Sequence, residues 1–186
     1  MRIIAGKARS LPLKTTPGTE TRPTTDRIKE TLFNMLQTSV ADCRFLDLFA
    51  GSGQIGLEAI SRGAAHAVFV EKDKAAAACI QSNISFTKFD DQCTLYVCDV
   101  LAALRRMEGQ EPFDIIFMDP PYDRQCEQEV LAYLADSTLA AAHTLILVEA
   151  SLRTDFSRLD ELGFVMEKWK PYKTNGHAFI RKKGRT

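Results

Sequence analysis

Two periodicities divide the chain. Near the amino terminus, Ile28, Leu32, Met35 and Leu36 recur at helical spacing and predict one amphipathic helix. Thr24 or Thr25 is placed to cap it, and Asp26 falls in its first turn, where a carboxylate faces the positive end of the helix dipole. Ahead of it, Ile3-Ile4 and Leu11-Pro12-Leu13 flank Gly6-Lys7-Ala8-Arg9 and predict a short hairpin or extended arm. The Thr-, Pro- and Gly-rich residues 15–23 predict a loop. From residue 45 the pattern changes. Short, nearly continuous apolar runs recur at 45–49, 67–70, 94–97, 113–118 and 144–148, and helix-compatible stretches lie at 54–62, 73–87, 99–107, 123–135 and 153–161. Strands that are apolar on both faces, alternating with helices, predict a parallel sheet covered on both sides. Residues 164–169 and 178–182 flank a turn holding Asn175-Gly176, so the α/β sheet is expected to end in an antiparallel hairpin.

Length keeps this to one domain. The 186 residues are 45% hydrophobic and 26% charged, an ordinary globular composition. Residues 1–40 read as arm and helix, and 41–186 as the α/β core. No apolar run approaches a membrane span, and the first residues lack the apolar stretch of a signal peptide, so a cytoplasmic protein with no membrane partner is expected. Cys43, Cys79, Cys93, Cys98 and Cys126 are scattered without a C-x-x-C pair, and only three histidines accompany them. A zinc site needs clustered ligands, so no metal is expected and the cysteines read as reduced, buried hydrophobes. The net charge is zero, but it is unevenly spread. Residues 1–30 hold seven Lys/Arg against three Asp/Glu, residues 31–150 eight against seventeen, and residues 151–186 nine against four. Two basic ends around an acidic middle fit a segregated face for a phosphate backbone, or equally a set of solvated loops.

Chemistry concentrates at two strand ends. The first lies in Leu46-Asp47-Leu48-Phe49-Ala50-Gly51-Ser52-Gly53-Gln54-Ile55-Gly56, with Glu71 20 residues after Gly51. This satisfies the dinucleotide fingerprint G-x-G-x-x-G followed by an acid. Asp47 argues against a pyrophosphate, because a carboxylate there opposes phosphate and suits a ligand carrying an ammonium, such as the aminoacyl end of S-adenosylmethionine. Gly51 and Gly53 would let the backbone approach that ligand, and Glu71 would accept its ribose hydroxyls. The second is Asp119-Pro120-Pro121-Tyr122, directly after the strand at 113–118, at the edge where open α/β sheets bind ligands. Two prolines stiffen the loop and can aim the Asp119 carboxylate and the Pro120 carbonyl at one point. That point suits the exocyclic amino group of a base, whose lone pair is delocalised until two acceptors take its N–H groups. Tyr122 can stack on the base, a contact worth about 1–3 kcal/mol.

Together these motifs resemble the class I S-adenosylmethionine-dependent methyltransferases with a Rossmann-like sheet. More closely, Arg2–Gly6, the run Arg22-Pro23-Thr24-Thr25-Asp26-Arg27, Thr31-Leu32-Phe33-Asn34, residues 46–56 and Ser61-Arg62-Gly63-Ala64 are similar to the RsmD family of bacterial 16S ribosomal RNA guanine-N2 methyltransferases. The likeness spans residues 2–122 and is looser in the final strand pair. It implies S-adenosylmethionine as cofactor, and 16S rRNA, the small ribosomal subunit or its assembly intermediate as partner. By resemblance, Asp47, Gly51 and Gly53 hold the aminoacyl end, Glu71 the ribose and Asp99 the neighbourhood of the adenine amine. Arg22 and Thr24 lie in a cofactor-contacting motif, and Asp119, Pro120 and Tyr122 form the catalytic loop. Gln54-Ile55 departs mildly from the small or apolar residues expected there. His177 is expected on the hairpin surface, and a monomer is expected because no long apolar stripe is left unassigned. Two other readings stay open: a DNA adenine-N6 methyltransferase, and a nucleotide- or NAD-binding module without methyl transfer.

Overall fold

Seven strands run in chain order as β1 (Arg44–Leu48), β2 (His66–Val70), β3 (Cys93–Tyr96), β4 (Ile115–Met118), β5 (Leu145–Ser151), β6 (Phe164–Pro171) and β7 (Asn175–Lys182). The helices are α1 (Asp26–Met35), α2 (Gln54–Ser61), α3 (Lys74–Thr87), α4 (Val100–Met107) and α5 (Cys126–Asp136). The computed structural model describes residues 1–15, 26–121 and 126–184. All seven strands form one sheet in the order β3-β2-β1-β4-β5-β7-β6, parallel from β3 to β5 and antiparallel at β7 and β6. Helices therefore link the parallel strands, as the alternating pattern requires.

Side chains alternate across the sheet and build two cores. Phe45, Phe69, Phe117, Leu147 and Phe179 face one layer, together with Leu32 and Phe33 of α1 and with α2 and α3. Leu46, Val68, Ile116, Val148 and Ile180 face the other, against α4 and α5. Each fully buried aromatic or aliphatic side chain stabilises the fold by about 1.5–3 kcal/mol. Gly56, the third glycine of the fingerprint, serves this packing. A Cβ there would stand 2.3 Å from Phe69 Cε1, so only glycine lets α2 lie this close to β2.

The amino-terminal segment is a hairpin, as expected, and it is docked on the core. Arg2 and Pro12 pair antiparallel, and Ile3 and Leu13 are buried. Lys7 N–H donates to Ser61 O at 2.7 Å, while Ile4 and Ala5 N–H donate to the Glu58 carboxylate at 2.8 and 3.0 Å. Gly6 sits against α2 so tightly that a Cβ would fall 1.8 Å from Ser61 O. Glu58 also holds Lys29 at 3.4 Å and Arg62 at 2.7 Å. This partner rotates α1 from its expected face: Lys29, Leu32, Phe33 and Leu36 are buried, while Ile28 and Met35 are half-buried. Burial lowers the Lys29 pKa, and the Glu58 carboxylate opposes that shift. Thr24 and Thr25 lie outside the described residues.

Two further expectations are corrected. Residues 153–161 form no α-helix. Asp155 accepts from Ser157 N–H at 2.8 Å and from its hydroxyl at 3.0 Å, and only a 3-10 turn at Ser157–Leu159 follows. Short polar side chains that bond the local backbone compete with helix formation in this way. Asn175 and Gly176 belong to β7, and the turn is residues 172–174, closed by Tyr172 N–H donating to Asn175 O at 2.7 Å. The glycine serves ring packing rather than the turn, since a Cβ on Gly176 would stand 2.5 Å from Trp169 Cζ2.

Candidate active site

The carboxyl edges of β2, β1, β4 and β5 are adjacent, and each carries one acid. Leu48 pairs with Val70 and Met118, and Met118 pairs with Val148. Register thus sets Glu71, Asp119 and Glu149 at one level across the middle of the sheet, with Asp47, which pairs with Phe69 and Phe117, two residues back on the same face. Asp47 is 1% exposed, and its Oδ2 accepts from Gly56 N–H at 2.9 Å. Burial pushes its pKa up to about 8; the Gly56 hydrogen bond opposes that and the Glu71 charge adds to it. Asp119 is also pushed well above the ordinary carboxylate range, first by burial, then by the charges of Glu149 and Asp47. Among the described residues, no lysine or arginine forms an ion pair with Asp47 or Asp119. Buried carboxylates without a counter-ion favour a cationic ligand.

The turn between β1 and α2 is shaped for close approach. Gly51 and Gly53 adopt φ of 57° and 76°, and a Cβ on Gly51 would meet no atom within 4 Å. Side chains thus leave the backbone of the turn open on that side. Gly51 N–H donates to Glu71 Oε2 at 2.9 Å and Asp73 N–H donates to Oε1 at 2.8 Å, so Glu71 both ties the turn down and stands at its rim. A carboxylate has about four acceptor sites, so two backbone bonds leave Glu71 capacity for hydroxyl groups. Asp99 is exposed at the neighbouring edge, where it caps α4 by accepting from Leu101 N–H at 3.0 Å. Asp119 is half-buried and Pro120 buried. Tyr122, Arg22 and Thr24 lie outside the described residues.

His177 corrects its expected surface placement, because it is fully buried in β7. Its Nε2 lies 3.2 Å from Glu149 Oε2, and its Nδ1 lies 3.3 Å from the Tyr172 hydroxyl. Asn175 Nδ2 donates to Glu149 Oε1. Sequence reading missed Glu149 and Asn175. The available signal was a lone acid closing the apolar run at 144–148, beside the strand that ends in Asp119.

A cavity of about 300 Å³ lies at the opposite edge of the sheet, lined by Asp42, Cys43, Asp114, His143 and Arg181. Ligands of open α/β sheets bind at the carboxyl edge, where the acid row stands. Among the described residues no cluster suits a metal, no disulfide joins the five cysteines, and no helix is long and apolar enough to cross a membrane.

Inserting the antiparallel β7 between β5 and β6 sets this sheet apart from the all-parallel dinucleotide-binding order. Strand order and acid-lined edge together define a class I methyltransferase sheet. Residues 1–177 match the sequence model of the family described as Conserved hypothetical protein 95. Ribosomal RNA small subunit methyltransferase D of Escherichia coli (strain K12) is 39% identical over 154 residues, covering 82% of this chain and 75% of that protein. The solved structure of YhhF from Escherichia coli superposes with a TM-score of 0.85 at 32% identity, covering 100% of this chain and 99% of that one. SMU.776, solved in complex with SAH, shares the fold at a TM-score of 0.64 and 17% identity, over 82% of this chain and 49% of that one. The chain belongs to the Conserved hypothetical protein 95 family, that of the RsmD methyltransferases.

Proposed function

We propose that this protein transfers a methyl group from S-adenosylmethionine to the exocyclic N2 amine of a guanine in 16S ribosomal RNA. The observation that carries the reading is the pair Asp47 and Asp119, pushed toward protonation by burial and, among the described residues, in no ion pair with a lysine or arginine, set beside an open glycine turn. A ligand with an ammonium and a sulfonium supplies the missing positive charge. Family membership and the name of the Escherichia coli relative support the ribosomal acceptor.

Each residue has a part. Asp47, held by Gly56 N–H, binds the ammonium, and Gly51 and Gly53 let the backbone close on the aminoacyl end. Glu71 accepts the ribose hydroxyls, and Asp99 stands near the adenine. Arg22 and Thr24 complete the cofactor contacts. S-adenosylmethionine supplies an activated methyl group, whose departure leaves a neutral thioether. The protein's task is then positioning, desolvation and polarisation of the amine. Asp119 and the Pro120 carbonyl accept the two N–H groups, which frees the nitrogen lone pair, and Tyr122 stacks on the base. As the N–C bond forms, the C–S electron pair leaves with sulfur and the amine proton passes to Asp119 or to water. A guanine amine is accessible only when unpaired or flipped out.

Of the two basic ends of the chain, the carboxyl-terminal one offers an RNA contact at the rim of the site. Lys7 and Arg9 are exposed beside Ser61, at the far end of α2, roughly 12 Å from the glycine turn by the helical rise. Asn175, in contrast, pairs with Ser151, so the β6–β7 turn stands at the carboxyl edge of β5 with Lys170 and Lys173, near Arg153. The double substitution Lys170→Ala/Lys173→Ala is expected to flatten the dependence of log affinity for RNA on log salt by roughly one per lysine. Lys7→Ala/Arg9→Ala should leave that slope nearer wild type, and the reverse ranking would return the interface to the amino-terminal hairpin. The function is tested by offering labelled S-adenosylmethionine with unmethylated small subunits, protein-free 16S RNA and duplex DNA. Label in DNA alone would favour the adenine-N6 reading.

A further inference from the structure

Behind the proposed catalytic loop lies a buried polar chain with no part in the mechanism above. Glu149 is 4% exposed and His177 0% exposed. Both carboxylate oxygens of Glu149 are engaged, one by Asn175 Nδ2 and the other by His177 Nε2 at 3.2 Å. The far nitrogen of the imidazole meets the Tyr172 hydroxyl at 3.3 Å, and its ring stands edge-on to Phe117 at 6.3 Å between centroids. Both ring nitrogens of His177 are thus paired, one with the Tyr172 hydroxyl and the other with Glu149. Glu149 is thus fixed by two donors from β7. It follows Val148, which pairs with Met118, as Asp119 follows Met118. Phe117 and Leu147 face one layer of the sheet, and the alternation puts Glu149, two residues on from Leu147, on that face beside Asp119.

We propose that Glu149, anchored by His177 and Asn175, is a positioning residue for methyl transfer, held beside Asp119 so that its carboxylate acts on the group that receives the attacking amine. This rests on the reading of Asp119 as the amine acceptor. The groups facing Asp119 among the described residues are Glu149 from β5 and Asp47 from β1, with Glu71 from β2 beyond Asp47. His177 from β7 and Tyr172 from the turn face Glu149 from the other side. Burial raises the proton affinity of Asp119 most, and the like charge of Glu149 adds to it. Two consequences follow. When the N–C bond forms and the C–S pair leaves on sulfur, Asp119 is a stronger acceptor for the released proton than a lone carboxylate. As the pH falls, Asp119 is also protonated earlier and loses its acceptor role earlier.

Glu149→Gln keeps the size and an acceptor for Asn175 but removes the charge. It is expected to move the acidic limb of the kcat–pH profile down by roughly one unit, and to lower the plateau rate. Glu149→Asp, which keeps the charge, should return the limb toward its wild-type position. Glu149→Ser removes the charge with a smaller side chain, and the same downward shift is required of it should Glu149→Gln fail to fold. Thermal midpoint and S-adenosylmethionine affinity, measured on each variant, identify the folded proteins. A rate lowered equally at every pH, with the limb unmoved, would reduce Glu149 to a structural role and overturn the proposal. Wild-type protein that transfers no methyl group would overturn the reading of Asp119 on which it rests. Wild-type transfer with an unmoved limb overturns the part assigned to Glu149 alone.

Discussion

Asp119→Ala is expected to abolish methyl transfer while leaving S-adenosylmethionine binding, measured by calorimetry, close to wild type. Asp119 follows β4 directly, ahead of the Pro120-Pro121 pair, whereas the proposed ammonium and ribose contacts come from β1 and β2. Removing it deletes the proposed acceptor for the amine N–H, and no other described side chain of the loop can replace it. General base removal costs about 10²–10⁴ in rate, and the loss should fall on kcat rather than on the cofactor dissociation constant. Asp119→Asn, nearly isosteric, should fall as far, because an amide presents one acceptor oxygen and no charge. Turnover near wild type in either variant would remove Asp119 from the mechanism.

Binding of S-adenosylmethionine should release close to one proton per protein at pH 7. In the free protein, burial and the Glu71 charge hold the Asp47 pKa at about 8, so its carboxyl is mostly protonated one unit below that. The bound ammonium favours the carboxylate, and the proton leaves. Calorimetry at pH 7 in two buffers of different ionisation enthalpy measures it directly. Affinity should rise with pH from about 6 and level off near 8. The sign for folding is opposite. A carboxyl whose pKa is raised on folding binds its proton more tightly folded than unfolded, so its contribution to stability is full below about pH 4 and is lost as pH rises toward 8. The free protein therefore loses stability over that window, and the cofactor restores it. Asp47→Asn should abolish the proton release and weaken cofactor binding by roughly 10- to 100-fold, the range of a charge-assisted hydrogen bond. Wild-type binding that releases no proton would show that Asp47 is already ionised and that its charge is compensated by some other group.

The parallel sheet was legible because its strands are buried on both faces and leave continuous apolar runs. Their ends fell within a few residues of those the runs predict, and the fingerprint turn and the Asp119 loop stand side by side at one edge, as their positions after two apolar strands required. What periodicity could not reveal was set by partners distant in sequence. Lys29 is buried because Glu58 reaches it from α2, and that turns α1 toward a face its apolar residues alone do not define. Gly176 reads as a turn residue until the Trp169 ring is seen against it. His177 reads as a surface histidine until β7 is known to lie between β5 and β6, which places it against Glu149, 28 residues earlier in the chain. The basic amino-terminal residues were legible as charge but not as position, since docking on α2 carries Lys7 and Arg9 away from the acid row.

The central claim is the acceptor, and it is tested by digesting the methylated product to nucleosides. Unmethylated small subunits and protein-free 16S RNA, incubated with this protein and labelled S-adenosylmethionine, should yield label in N2-methylguanosine. Asp119→Ala run in parallel should yield none. Label in N6-methyladenine, or in DNA in preference to either ribosomal substrate, would keep the cofactor site and contradict the guanine. No label in any acceptor would contradict the assignment of methyl transfer to this site.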